Sequence, residues 1–252
     1  MQYVRKNLIY GIKSAMKFKN VQLLKNIKKK KDKIITVDGI TCSGKSLFAN
    51  ILKKQLSKYF KNVKIISKDL FLLPRERRII ITKNRIKTKT KFFDQNQAHY
   101  DLVKVKKLFS FLSKKTNLNK TFILKNLYDR KTGRNIKTEK FIAKNNTLFI
   151  YEGLFVNDDI KNIKMSPIKI LLIERIYESL SRKIERIRDK KISIGHVVYE
   201  FSNIHLNSFA RYLSRNKFNH SYYDVRRNFL PVNNGKKKQI SLIKKFIQKH
   251  SF

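Results

Sequence analysis

Lys33-Ile-Ile-Thr-Val-Asp-Gly-Ile-Thr-Cys-Ser-Gly-Lys-Ser46 is the stretch on which the fold turns. Lys33–Asp38 reads as a short buried strand, β-branched and closed by Gly39. From Gly39 to Ser46 the spacing is G-x-x-x-x-G-K-S. Gly39 and Gly44 let the backbone wrap tightly around a phosphate with its N–H groups turned inward. Lys45 can reach β- and γ-phosphates, and Ser46 offers a hydroxyl to Mg²⁺. Ile40, Thr41, Cys42 and Ser43 complete the wrap, with Cys42 a spacer rather than a nucleophile. Phe48, Ile51, Leu52, Leu56 and Tyr59 then recur at helical spacing. The helix they predict aims its positive end at the anion. The first expectation is therefore a site for the phosphates of ATP with Mg²⁺.

Outward from this unit, Asn62–Ser67 predicts a second strand, and basic Leu70–Phe93 an irregular loop or lid. Asp101–Ser113 is helical by the spacing of Val105, Leu108, Phe109 and Leu112. Thr121–Leu127 and Asn135–Ile142 flank Lys131-Thr-Gly-Arg134, the pattern of a β-hairpin. Thr147–Tyr151 and Ile168–Ile173 are continuous apolar runs, as central parallel strands require. Helices follow from Tyr177 to about Asn216, and Gln239–His250 predicts a basic amphipathic helix. Strands alternating with helices imply an α/β fold with a mostly parallel sheet covered on both faces.

The chain of 252 residues suffices for one such domain, and its 41% apolar and 12% aromatic content excludes a disordered chain. One cysteine excludes an internal disulfide and a cysteine-based zinc site, and fits a cytoplasmic location. No apolar run is long enough to cross a bilayer, and the N-terminus lacks the compact apolar stretch of a secretory signal. The five histidines show no metal spacing, and there is no G-x-S-x-G. The formal charge of +43 has two readings. One is a polyanionic partner, nucleic acid or an anionic membrane. The other is the codon usage of an AT-rich genome, since the lysines are scattered. In either case phosphorylated ligands are attracted over long range, and less so in salt.

Ser67-Lys-Asp-Leu-Phe71, Phe92-Phe-Asp-Gln-Asn-Gln-Ala-His-Tyr-Asp101, Asn126-Leu-Tyr-Asp-Arg-Lys-Thr-Gly-Arg134 and Ile150-Tyr-Glu-Gly-Leu-Phe155 follow the nest in this order. Together, over about Lys33 to Asp224, they resemble the uridine kinase/phosphoribulokinase family. The resemblance implies a three-layer P-loop NTPase-like fold over residues 33–235, with a hairpin inserted at about 119–142 and a lid at about 182–195. A basic extension, 1–32, and a basic helix, 236–252, flank it. It also implies ATP-dependent transfer of phosphate to a hydroxyl of a small molecule.

The implied roles are these. Asp69 is the base that takes the proton of the attacking hydroxyl. Asp94 holds ribose hydroxyls, unless it only caps a helix. Tyr128 lines the acceptor pocket. Glu152 helps Ser46 hold Mg²⁺, or pairs with Lys45 in the empty enzyme. Arg182 and Arg186, four apart on one helix face, stabilise the transferring phosphoryl group, unless they form a solvated basic face. Lys183 replaces the second arginine of the lid pair, and Glu200 replaces a glutamine that reads the base. Gly133 stands where uridine-cytidine kinases usually have a base-contacting histidine, and the lid's Arg-Gly-Arg segment is shortened to a run around Asp189-Lys-Lys191.

Uridine or cytidine is the first expected acceptor. A sugar, sugar phosphate or other polyol is the alternative, and Arg75, Arg77 and Arg78 would suit a phosphorylated one. A polyanion-binding protein on the same scaffold is the reading from another class. A homo-oligomer is compatible with the sequence.

Overall fold

The computed structural model describes residues 23, 26–27, 34–88, 94–144, 147–161, 163, 167–187, 193–225 and 228–249. Strands β1 (Ile34–Gly39), β2 (Asn62–Ser67), β5 (Thr147–Gly153), β6 (Ile168–Ile173), β7 (His220–Val225) and β8 (Asn228–Pro231) form one sheet in the order β2-β5-β1-β6-β7-β8. All neighbours are parallel except β8, which runs antiparallel to β7 at the edge. A separate antiparallel hairpin consists of β3 (Thr121–Tyr128) and β4 (Asn135–Ile142). The helices are α1 (Lys45–Leu56), α2 (Arg75–Thr88), α3 (Gln95–His99), α4 (Leu102–Ser113), α5 (Val156–Asp159), α6 (Ile176–Ile187), α7 (Ile194–Glu200), α8 (Asn207–Arg215) and α9 (Gly235–Lys249). A π-helical turn, Phe201–Leu206, joins α7 to α8.

Period-two alternation sends successive strand residues to opposite faces, and both faces are buried. Ile35, Val37, Ile150, Ile170 and Leu172 pack with Phe48, Ala49, Leu52 and Leu56 of α1. Ile34, Phe149 and Tyr151 point the other way, onto α4 and the hairpin through Phe109, Leu127 and Phe141. Leu171 and Ile173 pack under α6, α8 and α9. Phe48 anchors the nest's helix, its ring 5.2 Å from that of Tyr222 and 4.9 Å from that of Phe229. Three layers result, with the nest at the C-terminal end of the central strand β1.

Several expectations need correction. Leu70–Phe93 is not an irregular loop, because Arg75–Thr88 is helical. Pro74 sets the entry dihedral, and the run that follows contains no glycine. The missing cue was an apolar stripe, since Ile79 and Ile80 are exposed. Residues 89–93 lie outside the described residues. Asp101 is not the first helical residue but the cap of α4, its carboxylate accepting from Lys104 N at 3.1 Å. β7 and β8 had no strand signal, because His220-Ser-Tyr-Tyr-Asp-Val225 is too polar.

Most of the extension 1–32 and the lid segment 188–192 also lie outside the described residues. Leu23 and Ile27 are buried in the same cluster as α1. Among the described residues, no helix is long and apolar enough to cross a membrane.

Candidate active site

The nest forms where β1 ends. Gly44 takes a left-handed φ of 85° and Cys42 one of 60°, which curls the backbone before α1 starts. No side chain caps α1 and its first turn carries no acid, so its N–H groups stay available to an anion. The Ser43 hydroxyl is buried within the loop without a hydrogen-bond partner. Lys45 turns back on the loop and donates to the carbonyls of Gly39 at 2.9 Å and Ile40 at 2.7 Å. Burial pushes its pKa down, while Glu152 and Asp38 act to raise it. Open amides, an orphan hydroxyl and a half-buried ammonium on one loop fit the phosphates of a nucleotide.

Glu152, buried at the end of β5, accepts from Ser46 Oγ at 3.2 Å. A hydroxyl and a carboxylate are hard oxygen donors and fit Mg²⁺, which takes its remaining ligands from phosphates and water. Among the described residues, no group of three or more His, Cys, Asp or Glu could form a metal cage by itself.

Asp69 lies in a 3₁₀ turn, Lys68–Phe71, directly after β2. In register, Ser67 stands opposite Glu152, so the Asp69 turn begins beside that carboxylate. Its carboxylate is ion-paired with Arg130 from the hairpin turn. That turn is ordered by Asp129, whose carboxylate accepts from Lys131 N and Thr132 N. Arg75 N donates to Gly133 O at 2.9 Å and docks the turn on the start of α2. Arg78 donates to the Tyr128 hydroxyl at 2.8 Å and to Leu73 O at 2.9 Å. Asp69 and Tyr128 therefore share a rim with three arginines.

Asp94 is placed elsewhere. It caps α3, accepting from Asn96 N at 3.0 Å and Gln97 N at 3.3 Å. It opens on a groove of about 300 Å³ lined also by Lys106, Asp158, Lys161 and Arg215, but not by Asp69 or Tyr128. Glu200 is closed off, because Lys183 donates to it at 3.0 Å and His205 Nε2 stands 3.5 Å away. Burial opposes its charge, but His205 and Lys183 outweigh burial and hold its carboxyl well below the usual range. Gln95 Nε2 lies 2.5 Å from His205 Nδ1 and ties this cluster to α3.

Arg182 and Arg186, both on α6, differ. Arg182 is an anchor: it is ion-paired with buried Glu174, donates to Glu178 at 3.2 Å and to the nest's Cys42 O at 3.3 Å. Ser179 Oγ donates to Thr41 O alongside it. Arg186 is exposed, and its charge helps lower the Lys45 pKa. Burial pushes the Glu174 carboxyl up to about 7, even with Arg182 pulling it down. Its folded pKa thus lies above its unfolded 4.5, so this group's contribution to stability is lost as pH rises between those values. Arg182→Ala is expected to cost ~1 kcal/mol more at pH 8 than at pH 5, because Glu174 without its guanidinium must take up a proton that the wild-type protein releases. At pH 5 the carboxyl is protonated in the folded state and that extra loss is absent. Melting curves at the two pH values check this; equal losses would refute the coupling.

Besides Glu174, further buried acids escaped the sequence reading, Asp38 and Asp159 among them. Asp38 accepts from Gly39 N, Phe155 N, Val156 N and the Tyr212 hydroxyl, and so ties the nest to the loop after β5. Burial pushes it up to about 6. The available signal was an acid inside an apolar strand, one residue before the glycine. Asp159 pairs with Lys68, both wholly buried.

A parallel sheet with the nest on its central strand, a carboxylate near the end of the neighbouring strand and helix α6 seated on the nest define a three-layer P-loop NTPase-like fold. Solved structures then give the particular version of that fold. The chain is similar to a structure described as a possible uridine kinase from Bacillus stearothermophilus, with 17% identity and a TM-score of 0.52 over 77% of this chain and 89% of that one. For phosphoribulokinase from Rhodobacter spheroides the values are 14% and 0.53, over 77% and 71%. For D-glycerate 3-kinase from Cryptococcus neoformans they are 11% and 0.52, over 82% and 93%. At such identities the likeness is one of fold, and it agrees with the resemblance in the ordered motifs. No family model and no curated protein sequence matches the chain.

Proposed function

We propose that this protein is an ATP- and Mg²⁺-dependent kinase that moves the γ-phosphoryl group to a hydroxyl of a small molecule. The observation that carries this reading is one ladder of contacts. Ser46 of the nest donates to Glu152, Glu152 stands opposite Ser67, and Asp69 follows two residues on. Gly39–Ser46 cradles the phosphates and Lys45 offsets the charge that grows during transfer. Bound Mg²⁺, held by Ser46 and Glu152, would add further charge stabilisation. Asp69 orients the acceptor hydroxyl and takes its proton, and Arg130 holds that carboxylate until the hydroxyl replaces it. Arg186 is the lid arginine for the transferring group, while Arg182 keeps the lid seated. A cytoplasmic location suits the lone cysteine.

The rim favours an acceptor that carries its own negative group, a sugar phosphate or a polyol acid. Arg75, Arg78 and Arg130 supply the matching charge. Uridine and cytidine take second place. Gly133 has no side chain to contact a base, and the Glu200 carboxylate is consumed by Lys183 and His205. The names of two structural neighbours, D-glycerate 3-kinase and phosphoribulokinase, lean the same way, while a third, a possible uridine kinase, leans towards a nucleoside.

A screen of polyol acids, sugar phosphates and nucleosides for ATP-dependent product tests the proposal, with transfer to an anionic polyol expected. Transfer to uridine or cytidine alone would reassign the acceptor. No transfer to any acceptor, with tight duplex or liposome binding that survives Lys45→Ala, would support the polyanion-binding alternative.

A further inference from the structure

Lys68 is wholly buried, yet it immediately precedes Asp69, whose carboxylate is 30% exposed. The turn thus sends one side chain outward and its neighbour into the protein. The Lys68 ammonium has three protons and finds three oxygens: Asn96 Oδ1 at 2.5 Å, Asp159 Oδ1 at 3.0 Å and Asp159 Oδ2 at 2.7 Å. It also lies 4.5 Å from the centre of the Tyr100 ring. Asp159 is saturated as well, accepting from the Tyr151 hydroxyl at 2.7 Å and Asn96 Nδ2 at 3.1 Å. A methyl at Gly153 would meet Lys68 Cβ at 2.4 Å, so the stem of the lysine is wedged against β5.

These contacts join the Asp69 turn, α3, α5 and β5 through one buried ion pair. Lys68 belongs to the turn that carries Asp69. Asn96 belongs to α3, and its N–H is capped by Asp94. Tyr151 belongs to β5 and directly precedes Glu152. Burying such a pair is expensive, and apolar residues of similar volume usually stabilise as well or better. Burial pushes the Lys68 pKa down and that of Asp159 up, each resisted by the other's charge. What the pair supplies is a single geometry, because a saturated ammonium accepts one arrangement of its three partners where a greasy contact accepts many.

We propose that Lys68, through Asp159 and Asn96, is a positioning residue. It fixes the Asp69 turn relative to the Asp94 helix and to the strand of Glu152, without touching substrate. The inference rests on the kinase reading only for its effect on turnover.

The test uses the full chain with Lys68→Met/Asp159→Leu, which removes both charges together, beside Asp69→Asn and wild type. Amide hydrogen exchange, melting temperature, ATP affinity and acceptor turnover are measured on each. The double variant leaves the Tyr151 hydroxyl and the Asn96 side chain without their partners, so it is expected to stay folded, to melt a few degrees below wild type and to bind ATP within about twofold of wild type. Its residues 67–72 and 95–99 should exchange faster while β1 and β5 stay protected, and its kcat should fall ~10–100-fold. Unchanged exchange in the two segments overturns the proposal whatever the activity, and so does faster exchange with wild-type kcat. Faster exchange in a set where wild type and Asp69→Asn are equally inactive leaves the positioning role standing and removes the kinase reading instead. Should the double variant fail to fold, Tyr151→Phe deletes one hydroxyl from the same network. A several-fold loss of kcat at unchanged melting temperature would then support the role, and wild-type kcat would overturn it.

Discussion

Lys45→Ala is expected to remove ATP-dependent phosphoryl transfer, lowering kcat by ~10³-fold or more. The Lys45 ammonium rests on two carbonyls of its own loop, within the electrostatic reach of Glu152 and Asp38. A half-buried cation in that position carries more weight than one in water, because less solvent screens it. Alanine leaves the amides of the nest in place, so some nucleotide binding should persist. The fold should persist too, since α1 is held by Phe48, Ala49, Leu52 and Leu56 rather than by its first residue. Steady-state transfer measured beside a melting curve separates the two effects. A folded Lys45→Ala protein with wild-type turnover would remove the nest from catalysis.

Asp69→Asn is expected to lower transfer by ~10²–10⁴-fold at nearly unchanged ATP affinity. The amide has the volume of the carboxylate but cannot take up a proton, and it loses the ion pair with Arg130. That pair is exposed on the Arg130 side, so its loss should cost only ~0–1 kcal/mol of stability. Melting temperature should therefore hold while kcat collapses, which isolates chemistry from folding. Turnover equal to wild type would show that another group takes the proton.

The two substitutions rest on features that differ in how they reveal themselves. Lys45 is legible because the nest is local: eight consecutive residues hold the glycines, the lysine and the hydroxyl, and a β-branched run before them needs no partner to read as a strand. The hairpin is legible for the same reason, its turn chemistry lying between two alternating segments. Helix α2 is not, because two of its apolar residues, Ile79 and Ile80, face solvent and break up any periodic stripe. Asp94 was legible as a cap or as a ligand, and only the packing of α3 shows its carboxylate receiving two amides beside Asp158 and Arg215.

By itself, then, the amino-acid order determined the nest, the parallel α/β scaffold, the hairpin and the acids that end β2 and β5, since each is written in neighbouring residues. The tertiary structure alone decided which charges meet. Lys68 and Asp159 are 91 residues apart, and Asp38 and Tyr212 are 174 apart. Arg182 becomes an anchor and Glu200 a closed cluster through partners on other elements. Hydrophobic alternation brings strands and helices together without specifying charge partners. Burial makes those partners decisive, because a charge taken out of water must find its counter-charge among whatever side chains the fold sets beside it.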